Sequence, residues 1–395
     1  MSGGSMARFN RPSFVCGGSE RPGSQTPPDG GGGGPGRPAG PEGLALQLLA
    51  GWVASTMGGA IVAGDPSQAF GDVSIDTRTL KAGDLFVAIR GERFDGAEFA
   101  AAAIETGAAG VVVPRGWSAG PKPRATPHIA MAGGWTDVAQ PAAVVIEVDD
   151  TTEALQRLAH AIRRASGTKV VAITGSAGKT TTKEVTSELL AARYRVIRNR
   201  GNFNNHIGLP LSLIEPRQRP EIAVVELGMN HAGEVSTLVR VAEPEVRVWT
   251  NVGEAHVGFF ASVDAIADAK AEILEGATAS TLLVANADDD RIAARLGAFR
   301  GRVVTFGIDR PADVHASAIV DRGIDGTSAR VTTPSGSADL ATPLVGRANL
   351  ANILAATAVA LEFGVPLAVV VEKAAHLRPA AHRGEIVRLP GGVTT

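Results

Sequence analysis

The sequence predicts an α/β protein in which a small N-terminal α/β domain precedes a central domain with a mostly parallel sheet. In the middle of the chain, short β-prone segments alternate with segments of helical periodicity. Such alternation is typical of a parallel sheet covered by helices on both faces. A second observation is the stretch ITGSAGKTTT at 173–182, which lies between a predicted strand and a predicted helix. Strand, glycine turn, Lys-Thr and helix together are the layout of a phosphate-binding loop.

Composition narrows the classes of function. A chain of 395 residues with 44% hydrophobic and 20% charged residues suits two or three globular domains. The net charge of −2 provides no basic field, so no nucleic-acid partner is expected. No uncharged apolar run reaches the roughly 18 residues of a membrane span, so no stable membrane insertion is expected. Cys16 is the only cysteine and no secretory signal is recognisable, which favours a cytoplasmic protein.

Residues 1–42 are dominated by Gly, Pro and Ser, and we expect this tail to be disordered because it has little apolar surface to bury. Residues 43–149 are predicted to form the N-terminal domain, with helices over 44–57 and 97–106 and a strand over 110–113. Within it, Thr77 and Arg78 lie near a strand end, where the Arg fork can bind phosphate; a surface turn is the alternative.

Residues 150–380 are predicted to form the central domain. Its predicted strands are 169–174, 195–199, 222–227, 246–252 and 281–285, and its predicted helices include 183–193, 233–241 and 262–276. Ligands of such sheets bind at the carboxyl ends of the strands. Residues that directly follow the strands are therefore the candidates for a functional site.

The phosphate-loop hypothesis assigns a role to each residue type. Gly175 and Gly178 allow a tight turn whose N–H groups point inward, Lys179 adds a charge near the β and γ phosphates, and Thr180 can hold Mg²⁺. The loop is shorter than G-x-x-x-x-G-K-[ST], because Ile173 stands where that pattern has its first Gly. The alternative is an ordinary glycine turn with a solvated lysine.

Two further candidates follow strands at the same edge of the sheet. Glu226 ends the strand 222–227, and His256 lies in the segment TNVGEAH that follows the strand 246–252. A carboxylate and an imidazole there can bind divalent cations directly or through water. For each residue taken alone, an ordinary loop residue is the alternative.

Lys270 shares an apolar helical stripe with Val263, Ile266, Ile273 and Ala277. One interpretation is a lysine whose stem packs while its amine reaches water. The other is a desolvated amine of lowered pKa that reacts with CO₂ to give a carbamate, an anion able to bind a second metal.

Asn202, Asn204 and Asn205 form an asparagine-rich segment after the strand 195–199. Asparagines at this density are typical of turns. They are equally suited to act as neutral donors and acceptors near a phosphate or an amide.

Taken together, these segments resemble the Mur ligase family of bacterial cell-wall synthesis over residues 44–395. The resemblance rests on TGSAGKTTTKE, GNFNNHIGLPLSL, ELGMNHAGE, TNVGEAHVGFF and AKAEI, and on SIDTR, GDLFVAI and FDG in the N-terminal part. It implies a UDP-binding N-terminal domain, a central P-loop ATPase domain and a C-terminal Rossmann-like domain of about 100 residues. Only the start of the last domain, 381–395, is expected in this chain, so the amide bond is expected to form slowly if at all.

The resemblance implies an ATP-dependent amide ligase that uses ATP and Mg²⁺. Such enzymes phosphorylate a substrate carboxylate; an amine then attacks the acyl phosphate, and ADP and phosphate are released. GMNHAGE is similar to the members that add D-alanyl-D-alanine to UDP-N-acetylmuramoyl-tripeptide. The expected partners are these two molecules, and the chain is expected to be a monomer. Another amide ligase of the same superfamily, or a non-catalytic nucleotide-binding fragment, is the alternative.

By motif, the resemblance implies a role for each matching residue. The ATP loop would comprise Gly175, Ser176, Ala177, Gly178, Lys179, Thr180 and Thr181, with Asn286, Asn349, Asn352 and Arg383 as further nucleotide contacts. Thr180 and Glu226 would bind one Mg²⁺, and His256 and carbamylated Lys270 the second. Asn202, Asn204 and Asn205 would lie near the γ-phosphate and the acceptor, and Thr77 and Arg78 would face UDP. The chain departs from the family at Ala348 and Ala97, where histidine is usual or frequent.

Overall fold

The computed structural model describes residues 47–91, 93–118, 142–199, 201–215, 219–255 and 258–379. The predicted tail 1–42, His256, Arg383 and the segment 381–395 lie outside these ranges. The predictions for these residues are therefore not tested by the structure and stay predictions.

The N-terminal part of the described chain contains seven strands and two helices. They are β1 (Leu48–Leu49), α1 (Ala50–Met57), β2 (Ala60–Ala63), β3 (Ala69–Phe70), β4 (Val73–Ser74), β5 (Leu85–Val87), α2 (Ala100–Glu105), β6 (Gly110–Pro114) and β7 (Val144–Val148). Five of the strands form a sheet in the order β2-β7-β6-β5-β4. Strand β2 is antiparallel to β7, and the other neighbours are parallel. Strands β1 and β3 form a separate antiparallel pair.

A second sheet and its helices follow along the described chain. The elements are α3 (Thr151–Ser166), β8 (Lys169–Thr174), α4 (Lys179–Leu190), β9 (Val196–Arg198), α5 (Gly208–Ile214), β10 (Ile222–Glu226), α6 (Glu234–Ala242), β11 (Val246–Trp249), α7 (Val263–Ala271), β12 (Leu282–Asn286), α8 (Asp290–Ala293), β13 (Arg302–Gly307), β14 (Val314–Asp321), β15 (Thr327–Thr333), β16 (Gly336–Thr342), α9 (Arg347–Glu362) and α10 (Leu367–Ala374). The strands of this sheet, among the described residues, have the order β16-β15-β14-β13-β12-β11-β8-β10-β9.

The prediction of a mostly parallel central sheet is confirmed. Neighbouring strands from β9 to β14 are parallel, whereas β14–β15 and β15–β16 are antiparallel. The central strand β8 is buried at every position except Lys169. Burial on both faces suits its continuous apolar sequence, KVVAIT, because helices cover both sides of a parallel sheet.

Several helix bounds differ from the prediction. Helix α1 begins at Ala50 rather than at 44, α4 begins at Lys179 rather than at 183, and the helix predicted over 262–276 is shorter. The segment 262–276 is not a single helix, because α7 ends at Ala271 and a 3-10 turn, Glu272–Leu274, follows. The guanidinium of Arg247 on β11 donates to the carbonyls of Ile273 and Glu275 at this end. These bonds satisfy carbonyl groups that the end of the helix leaves without an intrahelical partner.

Helix α3 connects the two sheets. It packs against α1 on one side and α5 on the other. A single hydrophobic cluster consequently includes Val53 of α1, Ile146 of β7, Leu158 of α3, Leu209 of α5 and Val225 of β10. Both sheets therefore contribute side chains to one continuous core.

Within the described part of the chain, none of the helices combines the length and the apolar character needed to cross a membrane.

Candidate nucleotide and metal site

The turn between β8 and α4 requires glycine at two positions. Gly175 has a φ of +152° and Gly178, directly before α4, a φ of +79°. A Cβ atom would lie 1.9 Å from Thr250 Oγ1 at position 175 and 2.3 Å from Asn352 Oδ1 at position 178. The two glycines thus add no side chain of their own where the first N–H groups of α4 have no partner within the helix, an arrangement that suits phosphate.

The segment after β11 braces this turn. Asn251 accepts a bond from Ala177 N at 2.8 Å and donates to Ala177 O at 3.0 Å. The hydroxyl of Ser176 accepts from Gly253 N at 2.9 Å and donates to Gly253 O at 3.1 Å. Sequence reasoning gave Asn251 no role, although its place at the end of a predicted strand was the same signal that selected Glu226.

Two lysines lie close to the turn between β8 and α4. Lys179 Nζ donates to Gly175 O at 2.8 Å. Lys270 on α7 is only 1% exposed, so its amine does not reach bulk water as a snorkelling lysine would. Burial, and then the charge of nearby Lys179, lowers the pKa of Lys270 to about 7. An amine in this state is neutral far more often than an ordinary lysine.

A hydroxyl and a carboxylate meet at the first turn of α4. Thr180 Oγ1 donates to Glu226 Oε2 at 2.8 Å, and Asn204 Nδ2 donates to Glu226 Oε1 at 2.8 Å. Glu226 is 4% exposed. Hydroxyl and carboxylate oxygens are ligands that Mg²⁺ prefers, and Mg²⁺ commonly takes one or two protein oxygens and completes its shell with water and phosphate. Thr180 and Glu226 therefore fit a magnesium ion.

In the described residues, no group of three or more His, Cys, Asp or Glu side chains is placed to hold a metal. The magnesium fit consequently rests on Thr180 and Glu226. His256, the predicted ligand of a second ion, lies outside the described residues.

The three predicted asparagines are placed differently. Asn204 donates to Glu226, and Asn202 lines a cavity that also contains Asn204 and Glu226. Asn205 Oδ1 instead accepts bonds from Gly208 N at 2.8 Å and Ile207 N at 3.2 Å, where α5 begins. In this structure Asn205 therefore has the contacts of a turn residue.

The three described asparagines that were predicted as further nucleotide contacts all bond to protein groups. Asn286 donates to Thr250 O at 2.8 Å, and Asn349 donates to Val345 O at 2.8 Å. Asn352 accepts from Thr182 Oγ1 at 3.2 Å and lies against Gly178. Asn352 thus lies beside the phosphate turn, and Asn286 bonds to the segment after β11 that supports this turn. The amide of Asn349 instead bonds to the residue that lies just before its own helix, α9.

Cavity 1, of about 1030 Å³, is lined by Thr77, Arg78, Phe94 and Phe203 among others. Arg78 holds Asp76 through a bond of 2.6 Å from Nη2 and lowers the pKa of Asp76 to about 2. The guanidinium is thereby fixed in direction while its side chain stays 87% exposed. The structure brings Thr77 and Arg78 to the wall of a cavity large enough for a nucleotide sugar.

Cavity 2, of about 850 Å³, contains the Thr180–Glu226 pair together with Asn202 and Asn204. Residues that sequence reasoning missed also line it, both basic and acidic, among them Lys183, Arg198, His376, Arg378, Glu184, Glu188 and Glu372. The pattern TTTKE contained a signal for Lys183, since a lysine four positions after Lys179 lies one helical turn further on.

Comparison with known proteins gives consistent matches. The family model described as the Mur ligase middle domain matches residues 173–360, and that of the Mur ligase family, catalytic domain, matches residues 71–163. The UDP-N-acetylmuramoyl-tripeptide–D-alanyl-D-alanine ligase of Bacillus subtilis is 34% identical, over 82% of this chain and 65% of its own length. The ligase of the same name from Mycobacterium bovis is 32% identical, over 88% of this chain and 70% of its own length.

Solved structures agree with these matches. A crystal structure of MurF from Acinetobacter baumannii aligns with a TM-score of 0.78 at 29% identity, over 88% of this chain and 72% of that one. MurF ligase from Thermotoga maritima in complex with ADP aligns with a TM-score of 0.68 at 26% identity, over 81% of this chain and 69% of that one. The chain thus spans about two thirds of the relatives that it matches, and it belongs to the Mur ligase family.

Proposed function

We propose that this chain carries the nucleotide- and substrate-binding part of a ligase that joins D-alanyl-D-alanine to UDP-N-acetylmuramoyl-tripeptide, with conversion of ATP to ADP and phosphate. The observation that carries the proposal is the 2.8 Å contact between Thr180 Oγ1 and Glu226 Oε2 beside the glycine turn. The names of the Bacillus and Mycobacterium relatives support the choice of substrates. The ADP bound to the Thermotoga relative supports the nucleotide.

In this proposal the substrate carboxylate is first phosphorylated, because oxide is a poor leaving group and phosphate a good one. The amine of the dipeptide then attacks the acyl carbon, the C–O bond to phosphate breaks, and the amine proton is released. The turn from Gly175 to Gly178 and the side chain of Lys179 hold the phosphates. Magnesium on Thr180 and Glu226 would supply charge neutralisation at the transferred phosphate.

Lys270 is assigned the carbamate. Its neutral amine adds to CO₂ through a new N–C bond and loses one proton, so that a buried neutral amine becomes an anion near Lys179. Support comes from the 1% exposure of Lys270 and from its pKa of about 7, which burial lowers. His256 and this carbamate together are proposed for a second Mg²⁺.

Cavity 1 is assigned the uridine diphosphate part of the substrate. Its volume of about 1030 Å³ is at the upper end for small-molecule sites, which suits a nucleotide sugar. Arg78 offers a planar fork for a phosphate, and Asp76 fixes its direction. We further propose that the chain works in the cytoplasm, as a monomer, without a nucleic-acid partner.

Calorimetry and mass spectrometry test the proposal. We expect ADP with Mg²⁺ and UDP-N-acetylmuramoyl-tripeptide to bind at separate sites, and Lys179→Ala to lose ADP binding alone. In a reaction with ATP, any peptide product should form with D-alanyl-D-alanine and not with diaminopimelate or glutamate. Failure of either ligand to bind, or a product made from another amine instead, would overturn the assignment.

A further inference from the structure

We infer that Asn199 is a positioning residue that couples the two cavities: through its buried carboxamide, filling of cavity 1 strengthens the binding of nucleotide and magnesium at the phosphate turn and at the Thr180–Glu226 pair, which lines cavity 2. This inference rests on the proposed function for the identity of the two ligands. Asn199 was not among the candidates that the sequence suggested.

Residues 201–204, hereafter the wall loop, separate the two cavities. Phe203 lines cavity 1, and its side chain remains 45% exposed there. Its neighbours Asn202 and Asn204 line cavity 2. A ligand that packs on the ring of Phe203 therefore touches the same four-residue segment that contributes Asn204 to Glu226.

Asn199 bridges this loop to the candidate magnesium ligand. Its Nδ2 donates to Phe203 O at 2.9 Å, and its Oδ1 accepts from Glu226 N at 3.0 Å. Both ends of one carboxamide are thus used, one on the residue that faces cavity 1 and one on the residue that faces cavity 2. Asn199 is 1% exposed, so water does not replace either bond easily.

The backbone of Asn199 is itself fixed by a buried lysine on helix α4. Lys183, also 1% exposed, donates from Nζ to Asn199 O at 2.9 Å. This bond fixes the backbone of Asn199 to helix α4, which carries Thr180 one turn earlier. The backbone of Asn199 consequently cannot shift without disturbing the helix that begins at the phosphate turn.

The wall loop itself has little room. A Cβ at Gly208 would lie 2.6 Å from Phe203 Cα, and a Cβ at Gly228 would lie 2.8 Å from Asn204 Cγ. Gly228 N also donates to Asn204 O at 2.8 Å. The backbone on both sides approaches the loop closely enough that ordering Phe203 also orders Asn204.

The direction of the coupling follows from this packing. A ligand packed on Phe203 adds contacts to the wall loop and so reduces the remaining motion of the Asn204–Glu226 pair. A nucleotide whose magnesium binds Thr180 and Glu226 then loses less conformational entropy on binding. Coupling is reciprocal, so each ligand must tighten the other by the same factor. We expect a factor of about 5 or more, the lower end of the range usual for coupled sites.

The test is a set of calorimetric titrations of the full chain with ADP and Mg²⁺, without and with saturating UDP-N-acetylmuramoyl-tripeptide. The wild-type chain should bind ADP about 5-fold or more tightly when the second ligand is present. Asn199→Ala and Phe203→Ala should each reduce this factor to about 1, and the double variant should reduce it no further, because both interrupt one path. Phe203→Leu, which keeps an apolar contact, should retain most of the coupling.

Thr168→Ala is the matched control for loss of a buried hydrogen bond. Thr168 is 1% exposed and donates to Pro220 O at 2.7 Å, at the start of β8, the opposite end of the strand from the phosphate turn. This variant should keep the full coupling factor at a similar loss of stability. If both ligands bind wild type without coupling, or if Asn199→Ala couples as wild type does, the inference is wrong although the proposed function stands. If one ligand does not bind at all, the proposed function itself fails.

Discussion

At the scale of single residues, the site combines groups that are costly to bury. Lys270 is almost fully buried, and the charge of Lys179 adds to the cost of its protonation. The folded chain therefore favours the neutral amine, whereas the unfolded chain leaves it with an ordinary pKa of about 10.5. A difference of this kind between two states makes stability depend on pH.

The sign is fixed by proton counting. Between pH 7 and 10.5 the unfolded chain binds more protons at Lys270 than the folded chain does, so stability rises with pH in this window. We expect the wild-type chain to gain up to about 1.4 kcal/mol per pH unit relative to Lys270→Met. Urea unfolding of both proteins at pH 7 and 9, in buffers free of CO₂, measures the difference. Parallel pH profiles would mean that the amine titrates normally.

A second residue-scale prediction concerns the magnesium pair. Glu226→Gln and Thr180→Val should each remove the effect of Mg²⁺ on ADP affinity, because each deletes one of the two proposed oxygen ligands. We expect a loss of about 10-fold or more in affinity with Mg²⁺, equivalent to about 1.4 kcal/mol, and little change without it. Thr180→Ser keeps the hydroxyl and should bind as wild type does. Equal losses with and without Mg²⁺ would indicate that the pair only supports the loop.

At the scale of elements, the end of helix α7 depends on one strand. Arg247 of β11 is 2% exposed and donates to carbonyls of Ile273 and Glu275, just beyond the helix that carries Lys270. Burial lowers the pKa of Arg247 to about 10. The buried guanidinium of Arg247 thus holds the end of the helix in place through these two bonds.

Arg247→Ala should therefore destabilise the chain by about 3 kcal/mol, since it leaves two carbonyls without their donor and opens a cavity. Arg247→Lys should recover part of this loss through one remaining donor. The free energy of unfolding from urea titration gives both values. A loss below about 0.5 kcal/mol for Arg247→Ala would place it among ordinary surface substitutions and show that the helix end does not need the arginine.

Much of this element structure could be predicted from sequence, and the limits are physical. Strands β8 and β10 are short apolar runs that end in polar residues, so their bounds were within a residue or two. Helix α9 is buried at ten of its sixteen positions and shows no polar face, so periodicity does not reveal it. Strand β14 contains a bulge, with Ala318 at a φ of +48°, which interrupts its alternation.

The residues of the candidate site could also be predicted only in part. Thr180 was found through the phosphate-loop pattern and Glu226 through its place at the end of a strand, and the structure places Thr180 Oγ1 2.8 Å from Glu226 Oε2. Asn199 was missed, because its importance lies in two contacts, with Phe203 and Glu226, that only the folded chain creates.

At the scale of the molecule, the two sheets share one core. Helix α3 contributes Leu155, Leu158 and Ile162 to a cluster that also contains Val112 of the first sheet and Ala223 of the second. Neither sheet can unfold and leave the other with its apolar surface covered. The described part of the chain should consequently behave as one cooperative unit.

We therefore expect a single unfolding transition by circular dichroism and by tryptophan fluorescence. Saturating UDP-N-acetylmuramoyl-tripeptide and saturating ADP with Mg²⁺ should each shift that whole transition, by about 2.7 kcal/mol at 100 times the dissociation constant. Glu226→Gln should lose the shift by ADP and keep the shift by the UDP ligand. Two separate transitions, each moved by one ligand, would show that the sheets unfold independently.

The close approach of Asn352 to Gly178 also restricts how this sequence can change over generations. Any side chain at 178 would meet the amide of Asn352 at 2.3 Å and would need a backbone of positive φ. A lineage that shortened residue 352 first would remove the collision but keep the unfavourable backbone conformation. Substitutions at these two positions, which lie 174 residues apart in the chain, can therefore accumulate in one order only. A smaller residue at position 352 must come before any side chain at position 178, because the reverse order passes through variants that fold poorly.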